Sequence, residues 1–202
     1  MARYYEKLQR QSKVLTSRMS ESMVFLRRFV GAPRQVGSIM PSSPYLTRAM
    51  MGKIDWHEAR HIAELGAGTG VFTRSVVRKL SKDGKILVFE IDPDLKNLIE
   101  KEHPGLTVYG DARELTEIML AQGIEKLDCV VSSLPFAVLP SNMTAAILEA
   151  VDRSLKPGGK FIAYQYSTQM KRCFEKRFEN VKISFVLRNV PPAFVYECTT
   201  AK

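Results

Sequence analysis

Cysteine is scarce in this chain of 202 residues, and its three thiols, Cys129, Cys173 and Cys198, are far apart. An odd number of cysteines without a CxxC pair argues against a disulfide framework and favours a reduced, cytoplasmic protein. Long apolar runs are missing too: none approaches the about 18 residues of a membrane-spanning helix. The N-terminus lacks the apolar stretch of a secretory signal. We therefore expect a protein that is neither secreted nor membrane-spanning.

Histidine is as scarce as cysteine. His57, His61 and His103 have no partner at the spacing of metal ligands, so we expect structural roles for them and no metal. The single tryptophan, Trp56, is expected to pack in the core.

Positive charge is abundant: the net charge is +9, and most of it lies near the N-terminus. Residues 1–34 carry eight basic side chains against Glu6 and Glu21, a net +6. Apolar residues recur at helical spacing between positions 4 and 30, which predicts an amphipathic helix. Such a basic segment suits an anionic partner, either a phospholipid surface or a nucleic acid.

Short apolar segments separated by helix-length stretches dominate the rest of the chain. The predicted strands are 61–65, 85–91, 106–110, 127–134, 160–167, 183–190 and 194–199. The first five follow the pattern of a parallel sheet covered on both faces. Only three residues separate the last two, too few for a parallel crossover, so they must form an antiparallel hairpin. Helices are predicted over 44–54, where Ser43 and Pro44 form a start signal, and near 70–80.

The stretch AELGAGTGVF, residues 63–72, follows the first predicted strand and leads into a helix. Glycines at 66, 68 and 70 permit a sharp turn and the close approach of a ligand. The dinucleotide fingerprint would place its third glycine at 71, where this chain has valine. A tight turn without any ligand is the alternative.

Two acidic residues follow the next two strands. Glu90 ends the second strand, where a carboxylate can accept hydrogen bonds from ribose hydroxyls. Asp111 follows the third strand, where it can accept from an adenine amine. Because ligands of open α/β sheets lie outside the carboxyl ends of the strands, the glycine turn and both acids favour one nucleoside-containing ligand.

The motifs ELGAGTG, FEID, GDA and LKPGG (155–159) resemble those of the class I S-adenosylmethionine-dependent methyltransferases. The resemblance implies an α/β, Rossmann-like, seven-stranded sheet with a C-terminal antiparallel hairpin. It also implies an S-adenosylmethionine site, with the methionine part against Gly66, Gly68 and Gly70 and its ammonium near Glu64. The remaining cofactor-binding residues that it suggests are Glu90, Asp111, Ala112, Ser132, Gly37 and Ser38.

The segment SSLPF (132–136) lies where that family meets the methyl acceptor, and is similar to the N-[IVL]-P-[YF] motif of ribosomal RNA adenine dimethyltransferases. Ser133 replaces the asparagine and so removes its amide acceptor. An adenine methyltransferase and a cofactor-binding protein without transfer activity remain the alternative functions.

A further resemblance covers nearly the whole chain. The segments 25–50, 64–74, 130–136 and 187–196 are similar to the bacterial phospholipid N-methyltransferases, which convert phosphatidylethanolamine to its mono-, di- and trimethylated forms. It implies an N-terminal helical extension, residues 1–55, that docks on anionic membranes, and a methyltransferase domain, residues 56–202. The expected protein is cytoplasmic and peripherally membrane-associated.

The expected acceptor site combines Ser133 with an aromatic wall of Phe136, Tyr166 and Tyr45, because ring faces attract a head group that becomes quaternary. Core packing is the alternative for the three rings. Arg34 and Arg188 are candidates for the lipid phosphate, with solvated surface pairs as their alternative.

Overall fold

The computed structural model describes residues 42–202 of the chain. The predicted N-terminal basic helix and the predicted site residues Arg34, Gly37 and Ser38 lie outside these residues. The helices are α1 (Pro44–Met51), α2 (Val71–Lys79), α3 (Pro93–Glu102), α4 (Leu115–Ala121), α5 (Ser141–Ser154) and α6 (Lys171–Glu175), with a 3₁₀ turn at Ala112–Glu114. The strands are β1 (His61–Leu65), β2 (Lys85–Phe89), β3 (Val108–Tyr109), β4 (Leu127–Ser132), β5 (Leu155–Gln165), β6 (Asn180–Val186) and β7 (Ala193–Thr199). None of the described helices is long and apolar enough to cross a membrane.

The seven strands form one sheet in the order β3-β2-β1-β4-β5-β7-β6. Strands β1 to β5 pair in parallel, while β7 runs antiparallel to both β5 and β6, so the predicted sheet and hairpin are confirmed. Gln165 lies opposite Phe194, and Val186 lies opposite Ala193. The β6–β7 turn, residues 187–192, therefore lies at the same sheet edge as the carboxyl ends of β1 to β5, which we call the carboxyl edge.

Helix α1 begins as predicted, because the Ser43 side chain accepts a hydrogen bond from the Leu46 N–H and Pro44 occupies the first turn. The helix ends at Met51, three residues earlier than predicted. Leu46 and Met50 are fully buried in a core cluster with residues of β1, α2, β4 and β5. Helix α1, which lies in the predicted extension 1–55, thus packs against the sheet, and the described residues belong to one compact unit.

Strand β5 is longer than predicted. By its resemblance to the methyltransferase motif, LKPGG is expected to be the turn before this strand, and proline and glycine are uncommon inside strands. Residues 155–159 instead belong to β5: Leu155 pairs with Leu127 of β4, and a register shift follows. Gly158 has a φ of 71°, and its N–H donates to the Ala201 carbonyl. Residues 155–159 remain part of the strand despite the register shift, because Ala201, close to the C-terminus, hydrogen-bonds to Gly158.

The two faces of the sheet bury different cores. Ile162 of β5 and Val195 of β7 belong to the cluster that includes α1 and α2. Their neighbours Phe161 and Tyr196 point to the opposite face, since successive strand residues alternate. There Phe161 and Tyr196 each pack edge-to-face against Phe174 of α6. Both faces are thus covered, and the site residues lie at the carboxyl edge between them.

Candidate active site

The turn after β1 has the backbone conformation that only glycine adopts readily. Gly66, Gly68 and Gly70 have φ values of 76°, 57° and 77°. The Gly66 N–H donates to the Phe89 carbonyl at 2.8 Å, which ties the turn to the end of β2. A Cβ at Gly66 would lie 2.8 Å from Leu134, whereas a Cβ at Gly68 would meet nothing within 4 Å. The turn is therefore packed at Gly66 and open at Gly68.

Glu90, directly after β2, is bound to this glycine turn. Its Oε2 accepts the Gly68 N–H at 2.7 Å, and its Oε1 accepts the Asp92 N–H at 2.9 Å. Burial raises the pKa of Glu90, and the hydrogen bonds from Asp92 and Gly68 oppose that effect. The structure thus brings Glu90 and the glycine turn together.

Glu64, inside β1, is completely buried. Its Oε2 accepts a hydrogen bond from the Thr73 hydroxyl at 2.7 Å, while its Oε1 has no partner within residues 42–202. Burial is the main reason that the pKa of Glu64 rises to about 8. A buried carboxylate oxygen without a partner fits a cationic ligand group. The sequence analysis missed Thr73, whose only signal is its place in the first turn of α2.

Asp111, which follows β3, is held by its neighbour Arg113. The Asp111 carboxylate accepts the Arg113 backbone N–H at 2.9 Å, and the Arg113 Nε lies 3.0 Å from both carboxylate oxygens. Ala112 is buried beside them in the 3₁₀ turn. An adenine amine would therefore share the Asp111 carboxylate with Arg113, a partner that the sequence analysis missed.

The loop after β4 joins the acceptor segment to the glycine turn. The Ser133 N–H donates to the Leu65 carbonyl at 2.9 Å, and the buried Ser132 Oγ accepts the Leu134 N–H at 3.2 Å. The Gln165 Nε2 donates to the Leu134 carbonyl at 2.8 Å from the end of β5. Gln165, which the sequence analysis also missed, thus helps to hold Ser132 and Ser133 beside β1.

The predicted aromatic wall is divided between core and surface. Phe136 is only 2% exposed and packs edge-to-face against Phe161 and Phe174, with ring centroids 6.0 Å apart in both pairs. Its ring therefore belongs to the core, the alternative that the sequence left open. Tyr166 is 41% exposed and packs edge-to-face against Tyr164. Burial raises the pKa of Tyr166 above its usual value.

Tyr45 and Arg188, which the sequence predicted for different roles, lie together. The Arg188 guanidinium carbon is 5.2 Å from the centroid of the Tyr45 ring, and an Arg188 nitrogen lies 3.4 Å from the Tyr45 hydroxyl. Tyr45 is 45% exposed. The pair combines a cation with an aromatic face at the β6–β7 turn.

These groups fit S-adenosylmethionine. Glu64 provides an unpartnered buried oxygen for an ammonium, Gly68 provides open space at the turn, and Glu90 provides a strand-end carboxylate for ribose hydroxyls. Within residues 42–202, no three His, Cys, Asp or Glu side chains are grouped so that they could hold a metal ion.

Two sequence comparisons extend this description. The family model described as TrkA-N domain matches residues 67–185. The ornithine lipid N-methyltransferase of Singulisphaera acidiphila is 34% identical over 192 residues, which cover 91% of this chain and 98% of that protein. Because about nine-tenths of this chain lies within the second match, that match extends well beyond the glycine turn.

Solved methyltransferase structures share the fold. Precorrin-6y C5,15-methyltransferase from Geobacter metallireducens superposes with a TM-score of 0.63 at 14% identity, over 81% of this chain and 92% of that chain. A SAM-dependent O-methyltransferase from Thermotoga maritima gives 0.60 at 15% identity, over 85% and 70% of the two chains. At these identities the likeness extends to the fold alone.

Proposed function

We propose that the chain, which belongs to the class I S-adenosylmethionine-dependent methyltransferases and over residues 67–185 to the TrkA-N domain family, methylates the amine of a lipid head group. The observation that carries the proposal is the match to an ornithine lipid N-methyltransferase over 91% of this chain and 98% of that protein. A relative that aligns almost end to end also shares the segments outside the cofactor turns, where an acceptor is selected.

The cofactor supplies an electrophilic methyl group when bound, and the chain's own residues orient it. The open backbone at Gly68 would admit the ligand, and Glu90 would accept hydrogen bonds from its ribose hydroxyls. The unpartnered oxygen of Glu64 would pair with its ammonium, which would replace the hydration that this buried carboxyl group lacks. Together these residues would hold the ligand at the carboxyl edge.

The acceptor amine must arrive neutral, with its lone pair directed at the methyl group. The loop that carries Ser132 and Ser133 is bonded to β1 and to Gln165, so its position relative to the glycine turn is set before binding. Well-oriented reactions gain about 7–11 kcal/mol from positioning. Removal of the amine from water favours its neutral form, which reduces the need for a strong base.

The head group that we propose carries a primary amine close to an anionic group. Phosphatidylethanolamine has a phosphate in that place, and an ornithine lipid has a carboxylate. Arg188 can pair with either anion. A face of the Tyr45 ring that Arg188 does not cover would attract a methylated ammonium by about 0.5–2 kcal/mol. We further propose that the basic N-terminal segment brings the chain to anionic membranes.

Transfer of labelled methyl groups tests the proposal. Purified full-length chain is incubated with labelled S-adenosylmethionine and either anionic vesicles containing phosphatidylethanolamine, the same vesicles containing an ornithine lipid, or unmodified ribosomal RNA. We expect label in one or both lipids and none in RNA. The variant R188Q should raise the KM for lipid about tenfold, whereas R188K should retain part of the charge-dependent binding. Label confined to RNA would overturn the proposal.

A further inference from the structure

The β6–β7 turn, residues 187–192, which we call the hairpin tip, exposes two large apolar side chains. Leu187 is 70% exposed and Val190 is 71% exposed, the largest values for such residues in the described part of the chain. These two exposed apolar side chains lie within four residues of each other, on the turn that carries Arg188. They form a local apolar patch, unlike single exposed apolar residues, which are common on protein surfaces.

The hairpin tip is held in place from within. Asn189, between the two apolar residues, is buried, and its Nδ2 donates to the Pro191 carbonyl at 2.7 Å. Its Oδ1 accepts the Ser43 N–H at 3.1 Å, which fastens the tip to the start of α1. Because Asn189 faces inward, Leu187 and Val190 point outward. The two hydrogen bonds of Asn189 fix the turn, so little conformational entropy is lost when it docks.

The surroundings of the hairpin tip favour a lipid surface as its partner. Arg188 supplies positive charge at the tip and lies over the half-exposed ring of Tyr45. The half-exposed Tyr166 directly follows β5 at the carboxyl edge. Tyrosine and arginine beside apolar residues suit the boundary between head groups and acyl chains. The described structure begins at Ser42, and the N–H of the next residue, Ser43, donates directly to Asn189 of this tip.

We propose that the hairpin tip inserts Leu187 and Val190 into the surface of an anionic bilayer, with Arg188 among the lipid phosphates. The tip lies at the same sheet edge as the glycine turn and the acceptor loop. Docking there presents that edge to the membrane, so that a lipid amine reaches it without leaving the bilayer. The biological purpose of this docking rests on the proposed lipid substrate, but the docking itself is measured separately.

Binding to vesicles without an acceptor amine tests the docking alone. Full-length chain is sedimented with vesicles of phosphatidylglycerol and phosphatidylcholine, and the partition constant is compared with that of L187Q/V190Q. We expect the double variant to bind about tenfold more weakly, since two apolar side chains no longer enter the bilayer. Its affinity for S-adenosylmethionine should be unchanged, which shows that the fold and the cofactor site are intact.

The matched control is L120Q. Leu120 is 60% exposed and lies near the end of α4. Just beyond that helix, the Gln122 carbonyl accepts a hydrogen bond from the side chain of Lys85, the first residue of β2. The control therefore lies at the opposite edge of the sheet and should bind vesicles as the unsubstituted chain does. Equal binding by L187Q/V190Q and the unsubstituted chain would overturn the proposal, as would equal losses in L187Q/V190Q and L120Q.

A conservative variant reports insertion directly if the double variant fails to fold. In L187W, the fluorescence of the new tryptophan is measured against the unsubstituted chain, whose single tryptophan is Trp56. We expect a blue shift on addition of the vesicles and quenching by brominated acyl chains. Emission that is already blue without vesicles, and does not change with them, would show that protein covers the tip and would overturn the proposal.

Discussion

Glu64 should release a proton when the cofactor binds. Its carboxyl group is fully buried, and burial raises its pKa from the usual 4.5 to about 8. In the ligand-free chain at pH 7 the protonated form then outnumbers the ionised form by about ten to one. An ammonium at the unpartnered Oε1 requires the ionised form. Binding at pH 7 must therefore expel close to one proton.

The raised pKa of Glu64 also makes the affinity for S-adenosylmethionine depend on pH. Ionising Glu64 at pH 7 costs about 1.4 kcal/mol, so the affinity for S-adenosylmethionine should rise about eightfold from pH 6 to pH 7. The ligand's own α-ammonium loses its proton around pH 8, so the further rise from pH 7 to pH 8 should be only about threefold and should end there. The affinity therefore has a maximum near pH 8.

Titration calorimetry measures both quantities. The binding enthalpy at pH 7 in two buffers with different ionisation enthalpies gives the number of protons released. We expect nearly one for the unsubstituted chain and nearly none for E64Q, whose affinity should also lose its rise between pH 6 and pH 8. T73V, which removes the hydroxyl that lowers the Glu64 pKa, should move the rise to higher pH. Proton release that is the same in E64Q and the unsubstituted chain would show that Glu64 is not the group that ionises on binding.

Further predictions concern stability and the positioning of the loop. Because the pKa of Glu64 is raised, the folded state keeps a proton that the unfolded state releases above about pH 4.5. The free energy of unfolding, measured with urea, should therefore decrease as the pH rises from about 4.5 to about 8. The decrease should be smaller in E64Q. G66A should lower the free energy of unfolding by about 1–3 kcal/mol, because its Cβ would lie 2.8 Å from Leu134 at a φ of 76°. G68A should cost less stability, since its Cβ meets no neighbour, but it should weaken cofactor binding by calorimetry. Q165L should lower kcat/KM more than cofactor affinity in a transfer assay, because Gln165 holds the acceptor loop; equal losses would contradict that role.

Local sequence signals predicted most of the fold. The run HIAEL coincides with β1, and the three residues between the last two predicted strands forced an antiparallel hairpin, which β6 and β7 confirm. The Ser43–Pro44 pair marked the start of α1 for the same reason, since capping depends on neighbours within one turn. Where the deciding interactions are local, a single sequence is sufficient to locate the element.

Contacts between distant residues could not be predicted in this way. Arg188 meets Tyr45 across 143 positions of the chain, and no periodicity or spacing indicates such a pair. Phe136 occupies the expected acceptor segment, yet its ring is buried because Phe161 of β5 and Phe174 of α6 surround it. The residues at the carboxyl edge were therefore predictable from strand ends, whereas their partners were set by tertiary packing.

The proposed methylation of a lipid amine is tested most directly by mass spectrometry of the lipids. The full-length chain is incubated with S-adenosylmethionine and vesicles that contain both phosphatidylethanolamine and an ornithine lipid. We expect at least one of these lipids to gain the mass of one or more methyl groups on its amine. Unchanged lipids, in a preparation that binds S-adenosylmethionine and docks on the vesicles, would contradict the proposal.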